Sequence, residues 1–181
     1  MTQRLGWALL PLAATSCATP VSNYLAPFAA PRAIVLLTAD LDTDAAFYGE
    51  GTITVDAFGP SCAPSKRGLR VAEFPDKSTA ESATHIYSEL VANEPVVLTF
   101  IRKNQTGIGR TACAFSVSLE PQANTSYKAT YEMKQGWCRV AIDRQSTGDD
   151  SVWITESKPV NPVCLDDSAK TRLVNDYKTD Y

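Results

Sequence analysis

The stretch SYKATYEMKQGWCRVAIDR, residues Ser126–Arg144, predicts a β-hairpin and with it the class of the fold. In its second half Cys138, Val140 and Ile142 point to one side of an extended chain and charged residues point to the other. This period of two is typical of a strand with one buried face. The linking segment Lys134–Gly136 ends in glycine and has the length of a tight connection. We therefore expect two adjacent antiparallel strands here.

Short strands with turn signals between them account for most of the chain. They are expected at Ala33–Ala39, Thr52–Phe58, Gly68–Phe74, Thr84–Val91, Pro95–Lys103, Thr111–Leu119, Ser126–Met133, Trp137–Arg144 and Ser151–Glu156. Ala92–Glu94 has the composition of a turn and predicts a second hairpin between its flanking strands. Long amphipathic helices are absent from the pattern. The sequence therefore predicts an all-β fold, an antiparallel β-sandwich or small barrel of about 7–9 strands.

Four cysteines besides Cys17 indicate that disulfide bonds stabilise this domain. They are Cys62, Cys113, Cys138 and Cys164. An even number without CxxC spacing, beside a single histidine, is typical of an oxidising compartment and argues against a zinc site. Three pairings are possible, and we favour Cys62 with Cys113 and Cys138 with Cys164. The alternative joins Cys113 to Cys138, as inward-facing residues of neighbouring strands.

The N-terminus has the parts of a secretory signal peptide. Residues 1–16 carry one charged side chain, Arg4, followed by the apolar run Leu5–Ala14 and two small residues. The run is shorter than the about 20 residues that cross a bilayer. Cys17 after two small residues resembles the lipobox of bacterial lipoproteins, although that family usually has leucine where Ala14 stands. The alternative is an ordinary signal peptide that is cut near Ala14.

The lipoprotein resemblance implies that Cys17 is acylated and becomes the first residue of the mature protein. Ala18, rather than aspartate, follows it and implies the outer membrane, with the domain in the periplasm or at the cell surface. Residues 17–32 then form the acylated cysteine and a proline-containing tether. We expect one β domain over residues 33–164 and a polar tail or short helix over 165–181.

Charge and composition exclude some classes of function. Without Arg4 the chain has 16 basic and 20 acidic side chains. A net-acidic domain lacks the basic face that a nucleic-acid-binding protein needs, so no nucleic-acid partner is expected. The acidic balance also argues against electrostatic docking on anionic lipid. The membrane contact that we expect is the lipid on Cys17.

Few residues suggest catalysis or metal binding. His85 is the single histidine, so a Ser-His-Asp or Cys-His mechanism would depend on it. It lies in an alternating pattern without a GxSxG motif, and we interpret it as a strand residue. Asp40, Asp42 and Asp44 resemble the start of a calcium loop, but Ala45 replaces the required glycine. We therefore expect a solvated turn, no metal, no cofactor and no enzyme activity.

Four aromatic residues on neighbouring expected strands form the candidate binding face. They are Tyr127, Tyr131, Trp137 and Trp153. On an exposed sheet surface such residues bind sugars or protein partners, whereas in the interior they belong to the core. The sequence leaves both interpretations open.

These observations predict an envelope lipoprotein whose non-catalytic β domain binds a protein or another envelope component, such as a glycan. One alternative is a carrier of a small apolar ligand, which needs an enclosed cavity of at least about 300 Å³. Another is a small hydrolase of envelope polymers, which needs His85 within hydrogen-bond reach of a serine and an acid.

Overall fold

The computed structural model describes residues 23–41, 51–62, 68–75, 86–106, 109–134, 137–146, 152–161 and 163–165. These residues form ten strands and no helix. The strands are β1 (Arg32–Leu41), β2 (Gly51–Phe58), β3 (Leu69–Pro75), β4 (Ile86–Val91), β5 (Val96–Thr106), β6 (Gly109–Leu119), β7 (Ser126–Lys134), β8 (Trp137–Gln145), β9 (Trp153–Thr155) and β10 (Lys158–Pro159). The expected all-β fold is confirmed.

The strands form two five-stranded sheets that pack face to face. Sheet I has the order β4-β1-β7-β8-β9, and sheet II has the order β10-β6-β5-β2-β3. The hairpin predicted for residues 126–144 is confirmed, since β7 and β8 pair antiparallel from Tyr127 with Arg144 to Lys134 with Trp137. Of the two expected architectures, the described strands form the sandwich.

One core fills the space between the sheets because alternate residues of each strand point inward. Sheet I contributes Val35, Leu37, Leu90, Tyr127, Ala129, Tyr131 and Ile142, and sheet II contributes Ile53, Val55, Phe74, Leu98, Phe100 and Val117. The rings of Phe100 and Tyr131 stack across the two sheets with centroids 6.4 Å apart. Each fully buried large apolar side chain stabilises the fold by about 1.5–3 kcal/mol. The sandwich is therefore held mainly by this layer.

The hairpin predicted through Ala92–Glu94 is wrong. β4 pairs with β1 in sheet I, whereas β5 pairs with β2 and β6 in sheet II. The turn carries the chain from one sheet to the other, and its backbone bonds to other loops: Ala92 N–H donates to Pro31 O and Asn93 N–H to Pro121 O. A turn signal marks where a strand ends, and it does not specify which sheet the next strand joins.

Sheet I is also not wholly antiparallel as expected. β1 pairs in parallel with β7, from Ile34 with Ser126 to Leu41 with Met133. β1 lies inside the sheet between β4 and β7, which agrees with its nearly continuous apolar sequence. The remaining strand pairs are antiparallel.

The structure joins Cys62 to Cys164 and Cys113 to Cys138. The favoured pairing is therefore wrong, and the alternative of Cys113 with Cys138 is confirmed. The two Cα–Cα distances are 5.5 and 6.2 Å, which are usual for disulfides. Cys113 and Cys138 lie on β6 and β8, so this bridge links the two sheets across their interface.

The second bridge fixes a C-terminal segment to the outer face of sheet II. Cys164 is buried with Phe58 and Val97. Its backbone N–H donates to Ser116 Oγ at 3.0 Å, and its carbonyl accepts from Thr99 Oγ1 at 2.8 Å. These contacts satisfy the polar groups that burial would otherwise leave without partners.

Candidate functional site

Two of the four candidate aromatic residues belong to the core, which is the second of the two interpretations that the sequence leaves open. Tyr127 and Tyr131 are 1% and 0% exposed. Tyr131 Oη donates to Cys113 O at 3.4 Å, and Tyr127 Oη accepts from Gln122 N–H at 2.9 Å. Burial raises the pKa of the Tyr127 hydroxyl above its ordinary value. Both tyrosines thus contribute to stability and are closed to a partner.

Trp137 and Trp153 are exposed, but they do not share a surface. Trp137 pairs with Lys134 at the start of β8, whereas Trp153 pairs with Gln145 at its end. A strand rises about 3.4 Å per residue, so these positions are about 27 Å apart. The structure therefore divides the candidate face into two separate places.

The side chain of Trp137 is covered in part by a charged neighbour. The guanidinium of Arg139 lies 5.6 Å from the centroid of the Trp137 ring. Arg139 is itself fixed, because its Nε donates to Glu132 Oε2 at 2.7 Å. This cation–π contact stabilises an exposed ring by about 0.5–1 kcal/mol. Trp137 therefore has an intramolecular role at the hairpin end of β8.

Trp153 lies on an open edge of sheet I, together with two other exposed apolar residues. Val152, Trp153 and Ile154 are consecutive and 40–44% exposed. Val152 O accepts a hydrogen bond from Ser146 N–H, and Glu156 N–H donates to Ile142 O within β8. Because backbone groups alternate in direction along an antiparallel pair, those of Trp153 and Thr155 point away from β8. No strand in the described part of the chain pairs with β9 on that side.

This open edge is held firmly on β8. Arg144 forms an ion pair with Glu156, and this hydrogen bond raises the pKa of the guanidinium. Thr155 Oγ1 donates to Asp143 Oδ1 at 2.6 Å, and Ser157 Oγ accepts from the N–H of Ile142 at 3.0 Å. β9 is thus a preformed short strand rather than a loose segment.

Residues 23–31 bond to the opposite edge of sheet I at the Val91 end of β4. Tyr24 N–H donates to Arg70 O at 2.8 Å, and Tyr24 Oη accepts from Val91 N–H at 2.9 Å. Tyr24 therefore connects β3 of sheet II with β4 of sheet I. Part of the segment expected to be a tether is fixed against the domain by these bonds.

A second exposed apolar surface lies beside this edge, and it was not expected from the sequence. We define the N-terminal patch as Leu25, Phe28, Ile34 and Tyr87, which are 83%, 98%, 49% and 72% exposed. Three of them line an open groove of about 700 Å³ whose walls include the ion pair of Arg32 with Glu89. The sequence signal for this patch is the presence of Leu25 and Phe28 within the expected tether.

Several candidate residues lie outside the part of the chain that the structure describes. They are Cys17, Asp42, Asp44 and His85. Asp40 is described and lies in β1 rather than in the expected turn; it is largely exposed, and its Oδ2 lies 3.5 Å from Lys134 Nζ. Among the described residues no three side chains form a metal-binding group. Within the same residues no helix has the length and apolar character needed to cross a membrane.

The comparisons with known proteins add no family to these observations. The chain matches no protein-family model, and no curated protein shows significant similarity to it.

Proposed function

We propose that this protein is an envelope lipoprotein, anchored to the outer membrane through an acylated Cys17, whose non-catalytic sandwich binds an envelope protein at β9. The sequence from residue 1 to Cys17 supports the anchor, and the two disulfides agree with an exported domain. The observation that carries the binding role is the open β9 edge with three exposed apolar residues.

The chemistry of this edge fits an extended peptide that adds a strand to sheet I. The backbone groups of Trp153 and Thr155 are directed outward and can form a new ladder, which supplies affinity in strand-addition complexes. Trp153 supplies a large amphipathic side chain of the type that dominates binding energy at interfaces. An apolar side chain of the added segment opposite Trp153 would cover that ring on one face of sheet I, whereas Val152 and Ile154 point to the other face.

The groove at β4 favours this reading over the carrier alternative. It is open to solvent and lined by charged and apolar side chains together, whereas a carrier needs an enclosed apolar cavity. The hydrolase alternative depends on His85, which lies outside the described residues. No observation on the described residues favours a second function.

The anchor is tested by intact-mass measurement of the purified full-length protein. We expect a product that begins at Cys17 and carries acyl chains, and we expect Cys17→Ser to release the protein from membranes. A product that retains Met1 without lipid would contradict the anchor.

The binding edge is tested with a matched pair of variants, Trp153→Ser and Trp137→Ser. Both side chains are exposed to a similar extent, 40% and 45%, and they lie at opposite ends of β8. We expect Trp153→Ser to reduce chemical cross-linking to the envelope partner by at least about tenfold, because loss of a tryptophan hot spot exceeds about 2 kcal/mol. Trp137→Ser should retain it. Equal yields from both variants would contradict the proposal.

A further inference from the structure

Two residues of the N-terminal patch are almost fully exposed and lie close together in the chain. Leu25 and Phe28 are 83% and 98% exposed, and they precede β1 directly. Scattered exposed apolar residues are normal on soluble proteins, but a contiguous group marks an interaction surface. Ile34 on β1 and Tyr87 on β4 lie on the outer face of sheet I, where they line one open groove with Leu25.

The segment that carries the patch is fixed to the domain. Tyr24 bonds to Arg70 and to Val91, and Ala30 N–H donates to Pro27 O at 3.0 Å in the turn that presents Phe28. A fixed apolar group loses little conformational entropy when it is buried against another surface. The patch is therefore ready to bind without rearrangement.

The number of residues between Cys17 and the domain limits the distance of the patch from the bilayer. Cys17 precedes Asn23, the first described residue, by six positions. An extended chain spans at most about 3.3–3.6 Å per residue, so the acylated cysteine lies within about 22 Å of Asn23. A cysteine inserted in a bilayer through its acyl chains thus keeps the patch close to the lipid headgroups.

Charge supports an apolar rather than an electrostatic contact. The ion pair of Arg32 with Glu89 leaves the border of the patch without net charge. The whole chain has a formal net charge of −3, which gives no attraction to anionic lipid. Insertion of leucine and aromatic side chains at the headgroup boundary remains as the source of binding.

We propose that the N-terminal patch inserts into the headgroup region of the bilayer that holds Cys17 and so fixes the orientation of the sandwich. This inference rests on the proposed acylation. It places β4 at the membrane and β9 at the far edge of sheet I, four strand spacings or about 19 Å away. The proposed partner-binding edge is then directed away from the lipid surface.

The test uses the full-length lipidated protein in vesicles of phosphatidylethanolamine and phosphatidylglycerol, with either ordinary or brominated acyl chains. Phe28→Trp places a fluorescent probe in the patch, and Val152→Trp places the same probe beside β9 as the matched control. The native Trp137 and Trp153 give the baseline in the unsubstituted protein. Both substituted positions are exposed, and circular dichroism together with intact disulfides checks that the variants fold.

We expect brominated lipid to quench most of the emission added by Phe28→Trp and to leave that added by Val152→Trp. Quenching at neither position would show that the domain stands away from the bilayer or that a protein covers the patch, and would overturn the inference. Quenching at Val152→Trp alone would reverse the orientation and overturn it as well. Flotation with the vesicles separates the two proposals. If the protein floats without quenching, only insertion of the N-terminal patch is overturned. If it does not float, the lipid anchor and the insertion of the patch are overturned together.

Discussion

The two edges of sheet I differ in how their backbone groups are used. At β4, Tyr24 accepts a hydrogen bond from Val91 at the end of the strand, and Pro31 accepts one from Ala92 just beyond it. At β9, the strand is three residues long, and its outer side has no described partner strand. Exposed edges invite association with other chains, so proteins usually cover or shorten them. This protein bonds a preceding segment to one edge and shortens the other, and the short strand β9 is where we propose that a partner binds.

The two sides of the sandwich are also closed by different chemistry. On the β8 side, Cys113–Cys138 links the sheets covalently. On the β4 side, Tyr24 links β3 and β4 through hydrogen bonds alone. We therefore expect the β8 side to provide a rigid support for β9 and the β4 side to open first under denaturing conditions.

The largest expected effect is the loss of the covalent link. The double variant Cys113→Ala/Cys138→Ala removes a cross-link over 25 residues, and the free energy of unfolding should fall by about 3 kcal/mol. Urea denaturation followed by circular dichroism measures it. The matched variant Cys62→Ala/Cys164→Ala, with a loop of 102 residues, should lose at least as much. A loss below that of Tyr24→Phe would contradict the contrast between the two sides.

The second effect concerns the hydrogen-bonded side. Tyr24→Phe keeps the ring and removes the acceptor for Val91 N–H, so we expect a loss of about 1 kcal/mol in the free energy of unfolding. Hydrogen exchange should accelerate at Val91 and remain unchanged at Ile142 on β8. Unchanged exchange at Val91 would show that Tyr24 does not protect this edge.

The third effect is a dependence on alkaline pH at Tyr127, on the central strand β7. Burial raises the pKa of this hydroxyl in the folded state, so the folded protein keeps its proton after the unfolded chain has lost it. The contribution of the Tyr127 hydroxyl to the free energy of unfolding is complete below the pKa of the unfolded chain, about 10. It is lost as the pH rises further. Tyr127→Phe should reduce the fall in stability between pH 9 and 11. An identical fall in both proteins would contradict this.

The smallest effect is expected at the open edge. Trp153→Ser should change the free energy of unfolding by less than about 0.5 kcal/mol, because the ring is 40% exposed and the flanking backbone hydrogen bonds come from Val152 and Glu156. Thermal denaturation checks this value. A larger loss would mean that Trp153 stabilises the fold, which would contradict the contrast between a bonded edge at β4 and an open edge at β9.

The strands were predictable because local periodicity reports which residues face the core. β7 and β8 follow this pattern within a residue or two of the expected bounds, whereas β2 has the expected bounds to within a residue but is buried on both faces from Ile53 to Phe58. The same alternation also distinguishes buried from exposed aromatic residues. Tyr127 and Tyr131 alternate in phase with Ala129 and Met133 on the buried face, whereas Trp137 is out of phase with Val140 and Ile142. Core and surface aromatic residues could thus have been separated from the sequence.

Pairing between distant segments could not be predicted. The parallel contact of β1 with β7 joins Thr38 to Thr130, 92 residues apart, and no local pattern specifies it. The transfer of the chain between sheets at Ala92–Glu94 and the link from Cys62 to Cys164 are decided in the same way by packing of the whole domain. The N-terminal patch was missed because it depends on where Tyr24 docks.

The parallel contact of β1 with β7 also has a kinetic consequence. β1 forms near the start of the chain, yet it lies inside sheet I and needs β7 as its neighbour. Folding that depends on contacts between distant segments is slow, in the range of milliseconds to seconds. Sheet I therefore stays incomplete until residues beyond Ser126 are available. Such delayed folding suits a polypeptide that crosses a membrane in extended form before it acquires its final structure.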